Sequence, residues 1–195
     1  MSFYLVSAII VALALFPVLR WLARVYLRFR GERVVICPET QQPAGVEVDA
    51  KHAVMATAVG APSLRLKDCS RWPERRNCGQ ECLRQIEAAP EDCLVRNILT
   101  RWYERKSCVY CGKPVGEIHW LEHKPALMSP ERQTVEWREV RPESLPSVLA
   151  THQPVCWNCH IAETFRREFP DLVVDRPATI RPHACAGTGT HRHPD

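Results

Sequence analysis

Two short cysteine turns carry the clearest chemistry in the chain: Cys108-Val-Tyr-Cys111-Gly-Lys and Cys156-Trp-Asn-Cys159-His160. A Cys-x2-Cys turn aims both sulfurs at one point, and two such turns supply the four thiolates that tetrahedral Zn2+ prefers. Such a sphere is full, so its role is to hold the fold and not to activate water or substrate. Three other uses of these cysteines compete. Cys-x2-Cys-His is also the attachment signature of c-type haem, which would use Cys156, Cys159 and His160 and leave Cys108 and Cys111 idle. A redox dithiol belongs between a strand and a helix in a βαβ unit, and neither pair has that setting. Disulfides require an oxidising compartment. His119, His123 and His160 read as accessory hydrogen-bonding groups or as surface residues.

The stretch from Cys108 to Lys113 resembles the knuckle of zinc-ribbon and treble-clef domains, in which the glycine after the second cysteine lets backbone amides face the sulfurs. That resemblance covers about a quarter of the chain. It implies a ribbon of short strands between the two cysteine pairs and a helix after the second pair.

A second, less regular group lies earlier. Cys37, Cys69, Cys78 and Cys82 make a plausible four-thiolate site, with Cys69, Cys78, Cys82 and Cys93 as the alternative set. Cys78 and Cys82 are one helical turn apart, which places them on one face of a helix that Gly79 can open. Zinc is favoured here, and an iron–sulfur cluster accepts the same wide spacing. Cys93 reads mainly as a small buried hydrophobe. The C-terminal His183, Cys185, His191 and His193 read as residues of a solvated tail.

The secondary structure that carries these groups can be read from the pattern around them. Residues 3–19 carry no charge and only Ser7 as a polar residue, enough for a short membrane-spanning helix that Trp21, Leu22 and Ala23 extend. Pro17 is tolerated in such a helix. A cleavable signal would need a charged segment before the apolar run, where only Met1 and Ser2 stand, so an uncleaved anchor is expected. Arg20, Arg24 and Arg28 recur every fourth residue and form a basic, lipid-facing stripe. With all the positive charge on the C-terminal flank, the expected orientation is N terminus outside and the remainder in the cytoplasm.

Beyond the anchor, alternation predicts strands at 34–37 and 45–49 as a hairpin, then a short helix at 51–59 and a third strand at 64–69. A helix is expected from the acidic turn at 90–92 through Trp102, with Cys93 on it. Strands are expected at 115–120 and 134–140 with a proline loop at 124–130 between them, and a helix at 161–169 that Pro170 ends. The expected fold class is α+β: a single N-terminal transmembrane helix followed by small metal-stapled modules of zinc-ribbon or treble-clef type. The expected organisation is an anchor over 1–31, a cysteine-rich module over 32–105, a zinc module over 106–175 and a disordered tail over 176–195.

Composition narrows the function. The chain has 195 residues, ten cysteines, sixteen prolines and a net charge of +4. The arginines between 20 and 33, less Glu32, account for that whole charge, so no basic domain remains to bind nucleic acid. No phosphate loop, nucleophile elbow, His-Glu-x2-His or carboxylate pair is present. Two classes of function fit: a membrane-tethered, zinc-stapled interaction or assembly module of a membrane complex, and an iron–sulfur electron-transfer subunit of such a complex. Membrane lipid and other subunits of the complex are the expected partners.

Overall fold

The computed structural model describes residues 2–75, 77–120 and 122–173. It is a mixed helix-and-sheet fold with two small antiparallel sheets and one long apolar N-terminal helix. The C-terminal tail, with His183, Cys185, His191 and His193, lies outside the described residues.

Helix α1 runs Ser2–Phe29 with Pro17 inside it. Its stretch from Tyr4 to Phe29 is long and apolar enough to cross a membrane, a property that signal sequences and buried core helices share. None of its apolar window is buried. Near its end Leu22, Val25, Tyr26 and Phe29 are half-buried while Arg20, Arg24 and Arg28 are exposed. The spacing of three and four residues puts the first set on one face. The last turns of α1 pack against the following domain, with Phe29 on the first core. Tyr26 belongs to this docking face.

The hairpin forms as the alternation predicts. Strand β1 (Glu32–Ile36) pairs antiparallel with β2 (Pro43–Val48), from Glu32 opposite Glu47 to Ile36 opposite Pro43. Asp49 accepts a hydrogen bond from the His52 amide and so caps helix α2 (Ala50–Ala58). Strand β3 (Leu66–Cys69) then completes the sheet in the order β1-β2-β3. Val35, Val46, Val48, Leu66 and Ile86 form the apolar floor of this first core, in which Cys69 and Cys82 are also buried.

The next two elements start later than the sequence suggests. Helix α3 occupies Leu83–Ala88, so Cys78 and Cys82 do not share a helical face. Gln80 between them has φ of 54°, a left-handed conformation that breaks any helix there, and its carboxamide accepts a hydrogen bond from the Leu66 amide. Helix α4 occupies Val95–Tyr103, and residues 90–93 form turns before it. Cys93 therefore precedes the helix, its carbonyl accepting from the Val34 amide. That contact ties the start of α4 to β1.

In the C-terminal half the strand expected at 134–140 forms in its first three residues, and the one expected at 115–120 does not. Residues 115–120 form no strand; only isolated bridges join Ser107 to Pro114 and His119 to His123. The expected loop holds strand β4 (Ala126–Met128), which pairs with β5 (Thr134–Glu136) and, on its other side, with β6 (Gln153–Val155). Burial explains the exchange: Ala126, Leu127 and Val155 are fully buried, whereas Gly116 at φ of 71° interrupts the earlier segment. Short 3-10 turns at Trp137–Glu139 and Pro142–Ser144 lead into helix α5 (Leu145–Thr151). Helix α6 (Trp157–Glu168) starts four residues before the expected position and directly follows Cys156.

A second core joins α4 to this half through Val95, Leu99, Tyr103, Leu127 and Leu145. The Tyr103 hydroxyl donates to the Ala126 carbonyl at 2.7 Å, and the Trp102 indole donates to the Leu149 carbonyl at 2.9 Å. A third, smaller core gathers Cys108, Ala126 and Val155 beneath the cysteine turns.

Candidate metal centre

Two pieces of backbone bring the C-terminal cysteines together. The first is the turn at 108–113, where the Cys108 amide donates to the Lys113 carbonyl at 2.8 Å and the Gly112 amide to the Cys108 carbonyl at 2.9 Å. Gly112 sits at φ of 69°, a conformation glycine adopts without a Cβ penalty. The second is the start of α6, where Cys156 is the N-cap and Cys159 lies in the first turn. A hydrogen bond from the Val109 amide to the Pro154 carbonyl at 3.0 Å fixes one piece against the other.

The four sulfurs of Cys108, Cys111, Cys156 and Cys159 all lie within 4.8 Å of one another, and those of Cys111 and Cys156 are 3.7 Å apart. A tetrahedral zinc with Zn–S bonds of about 2.3 Å sets its sulfurs about 3.8 Å apart. The donor set therefore fits one four-coordinate ion. Cys108 is buried at 1 % exposure, and Cys111 is exposed at the rim. Burial alone would raise the Cys108 thiol, but backbone N–H groups of Cys156, Cys111 and Tyr110 bring its pKa down to about 6. Burial and the neighbouring cysteine sulfurs push Cys159 up, and burial also raises Cys156. One thiolate forms readily and its neighbours are held back. A dication removes that repulsion.

His160 follows in α6, buried, with Nε2 3.7 Å from Glu136 Oε1 on β5. Its other ring nitrogen, Nδ1, has no hydrogen-bond partner among the described residues. The side chain thus joins α6 to the sheet, outside the four-sulfur group. His119 and His123 are exposed, with the His123 ring edge-on to Trp157 at 6.0 Å.

The N-terminal cysteines are arranged differently. Cys37 follows β1, Cys69 ends β3, Cys78 lies in the loop and Cys82 precedes α3, and all four line one cavity of about 160 Å³. They do not form a group as tight as the C-terminal four. Burial raises Cys69, and it pushes Cys82 up to about 11 with Cys69, Cys78 and Cys37 adding to the effect. Thr40 lies near Cys37 and lowers its pKa, although its hydroxyl makes no well-formed hydrogen bond. Cys93 lies outside this lining, packed against the first core and raised by burial.

One residue of consequence escapes sequence reasoning. Arg33, counted there only among the positive charges that follow the apolar run, is fully buried and donates to the carbonyls of Pro90 and Arg28. Burial lowers its pKa, opposed by nearby Glu91. Only its place on the inward face of β1 could have signalled this.

Comparison with protein families, curated proteins and solved structures finds no match for the chain.

Proposed function

We propose that this protein is a membrane-anchored, cytoplasm-facing module that zinc staples and that scaffolds or helps assemble a membrane complex. The observation that carries the reading is the four-sulfur group of Cys108, Cys111, Cys156 and Cys159, whose dimensions suit a closed zinc sphere. A turn with two ligands, a short hairpin, and a helix whose start carries the other two support a zinc-ribbon or treble-clef reading. A closed sphere stabilises and does not catalyse. Apparent zinc-binding energies of roughly 10–16 kcal/mol in such small sites are largely folding energy.

The anchor rests on α1. Its span from Tyr4 to Phe29, 26 residues that end in the arginine-bearing turns, is about 39 Å long at 1.5 Å per residue, against about 30 Å of hydrocarbon. The excess is close to two helical turns, which matches the docking face from Leu22 to Phe29. Arg20, Arg24 and Arg28, exposed away from that face, suit an anionic lipid surface and the cytoplasmic side. Other subunits of the membrane complex are the proposed partners.

Metal analysis of the purified full chain tests the centre. Zinc is expected at one equivalent in this site, absent from Cys108→Ser and present in Cys93→Ser. Covalent haem on a denaturing gel that survives Cys108→Ser would overturn it in favour of a cytochrome using Cys156, Cys159 and His160. For orientation, a C-terminal reporter active only in the cytoplasm is expected to be active. Activity of a reporter that works only outside the cytoplasm would reverse the topology.

A further inference from the structure

The cavity of the first module sets a different problem from the C-terminal centre. Cys37, Cys69, Cys78 and Cys82 reach it from four separate pieces of chain. A single zinc ion would need these sulfurs drawn to about 3.8 Å of one another. Only Cys108, Cys111, Cys156 and Cys159 make such a tight group among the described residues, while the first four surround a space of about 160 Å³. Two donors on the same lining, Thr40 Oγ1 and Arg71 Nε, are buried and have no hydrogen-bond partner among the described residues. A buried donor left without an acceptor is unfavourable. A wall carrying two of them suits an occupant that accepts hydrogen bonds.

We propose that Cys37, Cys69, Cys78 and Cys82 hold an iron–sulfur cluster. Such a cluster places iron and bridging sulfide between the thiolates, so its ligands stand apart around a volume and tolerate irregular spacing. Its sulfurs accept hydrogen bonds, which gives Thr40 and Arg71 their partners and lets them tune its reduction potential. Burial of Cys69 and Cys82 in the first core places the cluster against Val35, Ala44 and Val46, partly shielded from solvent. The other side of the cavity carries Arg71 and Arg75 beside Glu39 and Glu81, with Arg75 paired to Glu39 at 3.3 Å and Arg71 to Glu74 at 3.2 Å, so the charge there is balanced. The site shares no residue with the zinc centre, and the two stand or fall separately.

The test uses the full chain, purified in detergent without oxygen and, in a parallel sample, reconstituted with ferric and ferrous iron and sulfide. Iron, acid-labile sulfide, zinc and visible absorption are measured on each. Iron and sulfide with sulfur-to-iron charge-transfer absorption are expected beside one equivalent of zinc. Cys37→Ser and Cys78→Ser should lose the absorption and iron and keep the zinc. Cys108→Ser should do the reverse, and Cys93→Ser should keep both. Thr40→Val should keep the iron and lower the reduction potential of the cluster, an effect that a merely structural threonine would not have. A second zinc equivalent in place of iron, disulfides among the four cysteines, or no absorption after reconstitution of the wild-type chain would overturn the proposal. So would absorption that persists in Cys78→Ser.

Discussion

At the residue scale, Cys159 and His160 are neighbours in α6 with separate tasks. The Cys159 sulfur lies within the four-sulfur group, whereas the buried His160 ring faces Glu136. Cys159→Ser leaves an incomplete sphere, so zinc should be lost and the C-terminal half loosened. His160→Ala should keep its zinc and cost only about 1–3 kcal/mol, as a truncated buried side chain does. Zinc content and thermal melts of the two variants check the contrast. Acid acts on the same site. Cys108 has a pKa of about 6 against the ordinary thiol value of 9.0. Its depressed value favours the charged form in the folded chain, so its contribution is complete above about 9 and is lost as pH falls through about 6. Zinc affinity should therefore fall on acidification, most steeply where Cys108 also takes a proton. Competition with a chromophoric chelator across that range measures it.

Between elements, the close approach of the two halves rests on Gly45 in β2. A Cβ there would stand 2.9 Å from the Pro142 Cβ and 2.9 Å from Glu143 Oε2, in the 3-10 turn before α5. The proline cannot swing aside as a long side chain can. Gly45→Ala should cost about 1–3 kcal/mol by overpacking, although alanine suits a strand better than glycine does. Denaturant unfolding of the full chain in detergent micelles would register the loss. A gain in stability would mean that the contact is slack. Without a Cβ at position 45, the Pro142–Ser144 turn can lie against the first sheet, which α4 also joins through the second core.

For the whole molecule, the question is how firmly the apolar helix is joined to the first sheet and its core. Arg33 answers through its guanidinium, which donates to the Arg28 carbonyl at the end of α1 and to the Pro90 carbonyl before α4. A buried cation with hydrogen bonds on both sides holds a joint that apolar contact alone would leave free to slide. Arg33→Met should cost roughly 2–3 kcal/mol, the size of hydrogen bonds to a charged group. It should also open the joint to trypsin near Arg28 and Arg30. Limited proteolysis of membranes carrying the wild type and the variant would show the difference. Equal cleavage would mean that Leu22, Val25, Tyr26 and Phe29 suffice to hold α1.

Features that depend on local spacing were legible in the residues alone. The Cys-x2-Cys pairs specified the four-sulfur group, the alternation from Arg33 to Asp49 specified the hairpin, and the charge-free run specified the apolar helix. Folding settled whatever depends on burial between distant segments. Residues 126–128 became the central strand of the second sheet because the space beneath the cysteines takes small apolar side chains there, while propensity had pointed to 115–120. The left-handed Gln80 kept Cys78 and Cys82 off a common helix, yet the fold still brought both to one cavity with Cys37 and Cys69. Arg33 was legible only as a charge, and its burial came from carbonyls that α1 and the turn before α4 leave unpaired.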